Sequence, residues 1–170
     1  AFGFAYTEGG PWNDNGIQAI AKFNSRIERL IETLLDTKKK ASAKPNTSDT
    51  KEEKAIQYAI HYAIKSVTND TERFQFNTSI ARLMELVNAA GKYLSTSSFQ
   101  ANTLRQICES LLLLYAPFAP HFCEELWEII GNKYSIFNQK WPEYDASALV
   151  LDTVEIAVQV NGQVKFKLDI

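Results

Sequence analysis

Residues 111–127 read LLLLYAPFAPHFCEELW, and this segment decides the fold. Its first part is the apolar end of a helix, which Pro117 and Pro120 interrupt because proline has no backbone N–H and its ring clashes with the preceding turn. After Pro120 a second apolar helix extends to Gly131, which stands where a C-terminal cap is expected. Two apolar helices that meet at a sharp corner are stable only when other helices cover them. The segment therefore predicts a helical bundle with the corner in its core.

Helical periodicity places the other helices of this bundle. The predicted helices run from about residue 16 to the stretch before residue 37, over 52–67, from 77 or 78 to 94, over 99–115 and over 121–130. The polar composition of residues 37–54 predicts a mobile loop. Residues 69–72 are predicted to end the second helix, and Asn77 or Thr78 to cap the third.

A different pattern follows the bundle. Hydrophobic residues alternate with polar or small ones over 154–160 and 164–168, and Asn161 and Gly162 separate the two runs. Asn-Gly suits a type I′ turn, whose two central residues both need positive φ, so the pattern predicts a β-hairpin. A lone hairpin is marginally stable in water, which makes this one the expected opening of a second domain that has been cut off. The predicted fold is mainly α, a bundle of about five helices followed by a C-terminal β-hairpin.

Composition limits the classes of protein to consider. The chain has 170 residues, 45% of them hydrophobic, and a net charge of −2, which is typical of one soluble globular domain with a small appendage. The longest apolar run is too short to cross a bilayer, so no membrane partner is expected. Cys108 and Cys123 lie among apolar helix residues, where reduced, buried thiols are expected. These features favour the cytoplasm.

The residues after Pro120 invite a metal-site interpretation. His121, Glu124 and Glu125 can share one helix face, but Cys123 points elsewhere, and the spacing matches no zinc pattern. The simpler interpretation is a helix N-terminus with carboxylates that interact favourably with its dipole. A helical enzyme with a site at His121 and Glu124 remains an alternative. With only two histidines in the chain, no catalytic residue and no metal ligand is predicted.

A basic stripe on the first helix is the main candidate for binding. Lys22, Arg26 and Arg29 are four and three residues apart and therefore neighbours on the helix surface. Such a stripe either contacts phosphates or is an ordinary solvated face. The side chains predicted to contact a nucleic acid are Arg26, Arg29, Arg73, Arg82, Lys38, Lys39 and Lys40. Arg82 has an alternative role as a buried partner of Glu85 or Glu109.

Four segments together resemble one protein family. Residues 115–127, YAPFAPHFCEELW, closely resemble the APFAPHxxEELW segment of the class I aminoacyl-tRNA synthetases for leucine, isoleucine, valine and methionine. Residues 12–17 (WNDNGI), 76–88 (FNTSIARLMELVN) and 158–165 (VQVNGQVK) are similar to segments of leucyl-tRNA synthetases of bacterial type, in the family's order.

The resemblance implies a division of the chain. Residues 16–145 would form the helical tRNA-binding domain, which this class calls the anticodon-binding domain. Residues 1–15 would be the tail of the catalytic domain, and residues 146–170 the start of a truncated C-terminal domain of the α+β class. The full-length enzyme would use ATP and magnesium to ligate leucine to tRNA-Leu in protein synthesis. Since the chain has no motif of the HIGH or KMSKS type, the fragment is expected to hold no cofactor and to be inactive alone.

The resemblance also implies partners and structural roles. The motif residues interpreted as structural are Asn77, Pro117, Pro120, His121 and Trp127. The expected partners are tRNA-Leu and the remaining domains of the same synthetase, in a monomeric enzyme. A different class stays open, a helical protein-interaction module without an RNA role that uses the acidic fifth helix and the aromatic residues around Trp141. Salt separates the two, because phosphate contacts weaken steeply as salt rises and an apolar interface does not.

Overall fold

The computed structural model describes residues 14–40, 50–96, 99–150, 155–160 and 163–169, and gives the backbone alone for 14, 15, 38–40 and the last two ranges. The elements are α1 (Asp14–Lys40), α2 (Lys51–Glu72), α3 (Phe76–Leu94), α4 (Ala101–Tyr115), α5 (Pro120–Ile129), β1 (Glu155–Val160) and β2 (Gln163–Asp169). Two short 3₁₀ turns lie between α5 and β1, at Ile136–Asn138 and Ser147–Leu149. The prediction of a mainly helical chain with about five helices is confirmed.

The helices pack around one apolar core. α2 and α3 form an antiparallel pair, α4 packs on both, and α1 lies against α3 and α4. Near the start of α1, Phe23 meets Tyr115 at the end of α4 edge to face, with ring centroids 5.3 Å apart. The Tyr115 hydroxyl also donates to Asn24 Oδ1 at 3.0 Å. These contacts place the start of α1 at the same end of the bundle as the end of α4.

The predicted apolar stripes face the core. In α1, Phe23, Ile27, Leu30, Ile31 and Leu34 are buried, while Ile20 is only half-buried. Burying one such side chain contributes roughly 1.5–3 kcal/mol. The stripe predicts the inward face correctly because one face of a helix meets the core along most of its length.

The corner between α4 and α5 differs from the prediction. Tyr115 and Ala116 are buried, but Pro117, Pro120 and His121 are exposed, so placing the whole corner in the core was wrong. A turn leaves backbone carbonyls without helical partners, and these groups need water or another donor. Pro120 occupies the first turn of α5, where a missing N–H costs nothing.

The end of α5 confirms the predicted glycine cap. Gly131 has φ +86°, a conformation that glycine adopts without strain. Its N–H donates to the Glu128 carbonyl at 2.8 Å, and the Asn132 N–H donates to the Trp127 carbonyl at 3.3 Å. This pair of hydrogen bonds is a Schellman motif, which satisfies carbonyls that the helix leaves free.

Several predicted helix boundaries were wrong. α1 continues to Lys40 and α2 begins at Lys51, so both ends of the predicted loop over 37–54 are helical. Thr50 caps α2, since its hydroxyl accepts from the Glu53 N–H at 3.1 Å. α2 also runs through residues 69–72, which were predicted to end it. The packing of α2 along α3 overrides the weak helix propensity of these polar residues.

The start of α3 corrects the predicted cap. α3 begins at Phe76, before Asn77 and Thr78, and its flanking residue Gln75 makes no side-chain cap hydrogen bond. Phe74, with φ +56°, makes the break between α2 and α3. The prediction that Asn77 or Thr78 caps this helix was therefore wrong. Asn77 is a half-buried residue of the first turn.

A buried carboxylate joins three helices at the end of the bundle where α2 begins. Glu53 is 6% exposed and accepts hydrogen bonds from the hydroxyl of Tyr93 in α3 and, at 2.5 Å, from that of Thr103 in α4. The Gln57 amide donates to it at 3.3 Å. Burial and the bond to Glu53 raise the pKa of Tyr93. These donors make the burial of a charge tolerable.

After α5, residues 139–150 lie against α2, and we call this segment the α2 strap. The Trp141 indole N–H fixes it by donating to Thr68 Oγ1 at 2.8 Å. The Lys65 ammonium lies 5.5 Å from the Tyr144 ring centroid, and the Asp145 N–H donates to His61 Nδ1 at 3.0 Å. The aromatic residues around Trp141 therefore take part in contacts within the chain.

Beyond the strap, β1 and β2 pair antiparallel, with an irregular register between Val158 and Gln159. Residues 161 and 162 lie outside the described part of the chain. The predicted Asn-Gly turn, and the α+β domain that the hairpin would open, stay predictions.

The described residues also bear on two expectations from composition. Cys108 and Cys123 are buried and not disulfide-bonded, as predicted, and burial raises the pKa of each thiol to about 12. No helix in the described part of the chain has both the length and the apolar character that a bilayer crossing requires.

Candidate nucleic-acid interface

The candidate interface is the outer face of α1. The side chains of Lys22, Arg26 and Arg29 are exposed, while Phe23 and Ile27 between them are buried. At about 1.5 Å of rise per residue, the three cations extend over about 10 Å along the helix. The apolar stripe of α1 thus fixes which residues face solvent, and it presents these cations together. We call Lys22, Arg26 and Arg29 the α1 basic face.

One of these cations is held by a side chain of α3. Arg26 Nη2 donates to Asn88 Oδ1 at 2.6 Å, across 62 residues of sequence, and both side chains are exposed. Asn88 carries no charge, so the contact orients the guanidinium and leaves its charge intact. An arginine has five N–H donors, and most of them stay available to a ligand.

The cations of the α1 basic face have no ion-pair partner within the described ranges. Among the residues that the structure describes, no carboxylate lies within 4.0 Å of Lys22, Arg26 or Arg29, although Glu32 is three residues from Arg29 on the same helix. The charges of these three side chains can therefore act on an anionic ligand.

Arg82 occupies a different environment. Its guanidinium pairs with Glu85 at 3.1 Å and lies over the Tyr62 ring, 5.6 Å from the centroid. The hydrogen bond that Arg82 donates to the Glu85 carboxylate raises the pKa of Arg82. Glu85 is confirmed as the partner of Arg82, but the prediction that this pair is buried was wrong, since Glu85 is exposed. Glu109 pairs with Arg105 instead, at 2.8 Å. With its charge paired, Arg82 is a weaker candidate for phosphate contact than Arg26.

The remaining predicted cations are not part of the α1 basic face. Arg73 is exposed immediately after α2, at the end of the bundle where α1 begins. Lys38, Lys39 and Lys40 belong to the last turn of α1, and their side chains lie outside the described part of the structure. The helical rise puts Lys38 about 18 Å from Arg26 along the axis. Of the predicted cations, Arg26 and Arg29 lie together on one face of α1.

The sequence patterns did not predict the contacts of two polar residues, Asn88 and Arg105. Asn88 ends the motif over residues 76–88, but its partner is distant in sequence, so no local signal assigns it. Arg105 donates to Asn132 Oδ1 at 2.6 Å and pairs with Glu109, which braces the segment after α5 against α4. The four-residue spacing of Arg105 and Glu109 is a signal that could have found this pair.

The alternative site at His121 and Glu124 gains no support. Glu124 accepts from the Ser135 hydroxyl at 3.1 Å and from the Ile136 N–H at 2.9 Å, so it anchors the turn after α5. His121 is exposed at the start of α5. Within the described ranges, no group of three or more His, Cys, Asp or Glu side chains could hold a metal ion. Trp127 is 7% exposed and packs in the core, in keeping with its structural interpretation.

Known proteins show clear likeness to this chain. Residues 53–170 match the family model described as the anticodon-binding domain of tRNA ligase. A leucine–tRNA ligase of Clostridium perfringens is 51% identical over 167 residues, which cover 98% of this chain and 20% of that protein. A leucine–tRNA ligase of Clostridium botulinum is 51% identical over 170 residues, covering 99% of this chain and 21% of that protein. The chain thus spans about a fifth of the length of these relatives.

A solved structure is similar as well. It is the crystal structure of a ternary complex of an Agrobacterium radiobacter LeuRS with tRNA and LeuAMS. The match has a TM-score of 0.80 at 31% sequence identity and covers 99% of this chain and 22% of that one. Together with the relatives, it confirms the resemblance to leucyl-tRNA synthetases that the four motif segments indicated.

Proposed function

Because this chain belongs to the family of anticodon-binding domains of tRNA ligases, we propose that it is the helical tRNA-binding domain of a leucine–tRNA ligase. The observation that supports this most directly is the α1 basic face, where three exposed cations lie together without a neutralising carboxylate among the described residues. The likeness to a LeuRS solved with tRNA supports the same proposal.

The proposed contact is with the phosphate backbone. Lysine and arginine side chains release counterions when they neutralise phosphates, and this supplies affinity that does not depend on base sequence. Such contacts fix the orientation of a bound nucleic acid, while base contacts give specificity. The α1 basic face would therefore hold and orient the body of a tRNA.

The wider assignment rests on the relatives. We propose residues 16–145 as the tRNA-binding domain, residues 1–15 as the tail of the catalytic domain and residues 146–170 as the start of the C-terminal domain. The full-length protein would ligate leucine to tRNA-Leu with ATP and magnesium, as a cytoplasmic monomer. We assign ATP and magnesium to the catalytic domain of the leucine–tRNA ligase, as the resemblance implies.

The proposal is tested by titrating this chain with tRNA-Leu and with an unrelated tRNA from low to physiological salt. We expect binding whose affinity falls steeply as salt rises, and a large loss of affinity when Arg26 and Arg29 are both replaced by alanine. The control is Arg105→Ala, which removes a cation that is already paired with Glu109. Absence of binding at low salt, or equal loss in the control, would contradict the proposal.

A protein-interaction surface is a second candidate, supported by the aromatic residues after α5. Tyr134 is 82% exposed with φ +65°, and Phe137 is also exposed. A bulky residue with positive φ is strained, which is common at functional positions. A partner bound through these side chains would tolerate high salt, so the same titration with a candidate partner protein distinguishes the two functions.

A further inference from the structure

We propose that Asn88 is a positioning residue that holds Arg26 toward the phosphate backbone of the RNA. This inference rests on the proposed function, because it concerns the same face of α1. Its starting point is the hydrogen bond from Arg26 Nη2 to Asn88 Oδ1, at 2.6 Å, between two exposed side chains of different helices.

Asn88 limits the conformational freedom of the Arg26 side chain. An exposed arginine has a long, flexible side chain, and binding a phosphate requires that side chain to give up its freedom. Asn88 restricts Arg26 before any ligand arrives, because its amide is carried by α3, which packs against α1. Arg29 has no comparable side-chain partner among the described residues. The two arginines of one face therefore differ in how far they are preorganised.

Asn88 is an uncharged partner for the Arg26 guanidinium. A carboxylate would orient the arginine equally well, as Glu85 does for Arg82, but it would also cancel much of the attraction to a phosphate. The neutral amide of Asn88 orients Arg26 without cancelling its attraction to a phosphate. It occupies one N–H of the guanidinium, which leaves donors for a bidentate contact with phosphate oxygens.

The spacing of Arg26 and Arg29 indicates the class of ligand. Arg26 and Arg29 are three residues apart, so their positions on α1 differ by about 4.5 Å along the axis. Charges so close together suit neighbouring phosphates of one polynucleotide strand better than scattered anions. The ligand class is therefore the sugar–phosphate backbone of RNA, contacted without reading bases.

The decisive variant is Asn88→Asp, which keeps the shape of the side chain and adds a charge. We expect unchanged or higher thermal stability, since the contact with Arg26 becomes an ion pair. Affinity for tRNA-Leu at physiological salt should fall about five- to tenfold, and the slope of log K against log salt should become shallower by about 0.7–0.9, equivalent to one phosphate contact. Arg26→Ala should show the same change of slope.

Asn88→Ala separates orientation from charge. It removes the hydrogen bond but leaves the charge of Arg26, so affinity should fall about two- to fourfold with nearly the same salt slope. In a double-mutant cycle, Asn88→Ala should have no further effect once Arg26 is alanine, because the two residues act as one unit. Additive losses would overturn the inference.

A matched control and a reference variant distinguish the possible failures. Asn138→Asp makes the same charge change at an exposed position beyond α5 and should leave tRNA affinity unchanged. If Arg29→Ala weakens binding but Asn88→Asp binds like the unmodified chain, the role of Asn88 is refuted and the proposed function stands. If neither variant changes a salt-dependent affinity, the α1 basic face is not the RNA-binding surface.

Discussion

Glu53 and Arg26 are both charged side chains held by uncharged partners, yet they lie in opposite surroundings. Glu53 is 6% exposed and accepts from Tyr93, Thr103 and Gln57 where α2, α3 and α4 meet. Arg26 is exposed on α1, and its side chain has one hydrogen-bond partner among the described residues, Asn88. The difference shows that burial decides what a charge does. A buried charge must be satisfied by the fold, whereas an exposed charge keeps most of its donors for a ligand.

The largest expected effect is on stability, at Glu53. Glu53→Ala leaves the hydroxyls of Tyr93 and Thr103 without their acceptor in a buried place, so we expect the free energy of unfolding to fall by about 3 kcal/mol. Urea unfolding followed by circular dichroism measures this. Binding of tRNA by the folded fraction should not change. Glu53→Gln, which retains an acceptor, should lose less, and equal stability of all three chains would remove the structural role of Glu53.

Tyr93 gives a smaller effect with a characteristic pH dependence. Its hydroxyl donates to Glu53 and accepts from the Gln100 N–H at 2.8 Å, so Tyr93→Phe should cost about 1–2 kcal/mol. The pKa of Tyr93 is raised from 10.0 in the folded chain. Stability from this group is therefore complete below pH 10 and is lost as pH rises through the folded pKa.

The pH dependence of Tyr93 is measured by urea unfolding between pH 8 and pH 11. The unmodified chain should lose more stability over this range than Tyr93→Phe does. Parallel pH profiles of the two chains would show that Tyr93 does not titrate differently on unfolding.

Arg29 tests whether an exposed cation contributes to RNA binding but little to stability. Arg29→Ala should weaken tRNA binding about fivefold at physiological salt and make the salt slope shallower by about 0.7–0.9, as expected for the loss of one phosphate contact. The free energy of unfolding should change by less than about 0.5 kcal/mol, because the side chain is exposed. A loss of stability as large as that of Tyr93→Phe would show that exposure does not separate the two roles.

The smallest effect is expected at Glu85, an exposed counterpart of Glu53. Glu85 pairs with Arg82 at 3.1 Å, and the side chains are 56% and 35% exposed. Exposed ion pairs contribute little because water screens them, so Glu85→Ala should cost less than about 0.5 kcal/mol in urea unfolding. Glu53→Ala in the same helix pair is the matched comparison. A similar loss for both would contradict the distinction by burial.

The helices of this chain could be predicted where a periodic apolar face dominates. The stripe from Phe23 to Leu34 and the glycine cap at Gly131 follow from the sequence, because both depend on local geometry alone. The ends of α1 and α2 could not be predicted from polar composition. The lysines at residues 38–40 favour a helix although they begin a polar stretch, and the weak helix propensity of residues 69–72 is overridden by the packing of α2 along α3. The corner could be located from its prolines, but its exposure could not.

Part of the candidate site could be predicted from the sequence, and part depends on the tertiary structure. The sequence alone determined the family resemblance, the inward faces of the helices and the presence of a basic stripe on α1, because these depend on residue types and short spacings. The pair of Arg82 and Glu85 also follows from a short spacing, three residues on one helix. Only the tertiary structure decided that Arg26 has the uncharged Asn88 as its partner. That choice depends on how α1 packs against α3, since residues separated by 62 positions meet only when the bundle forms.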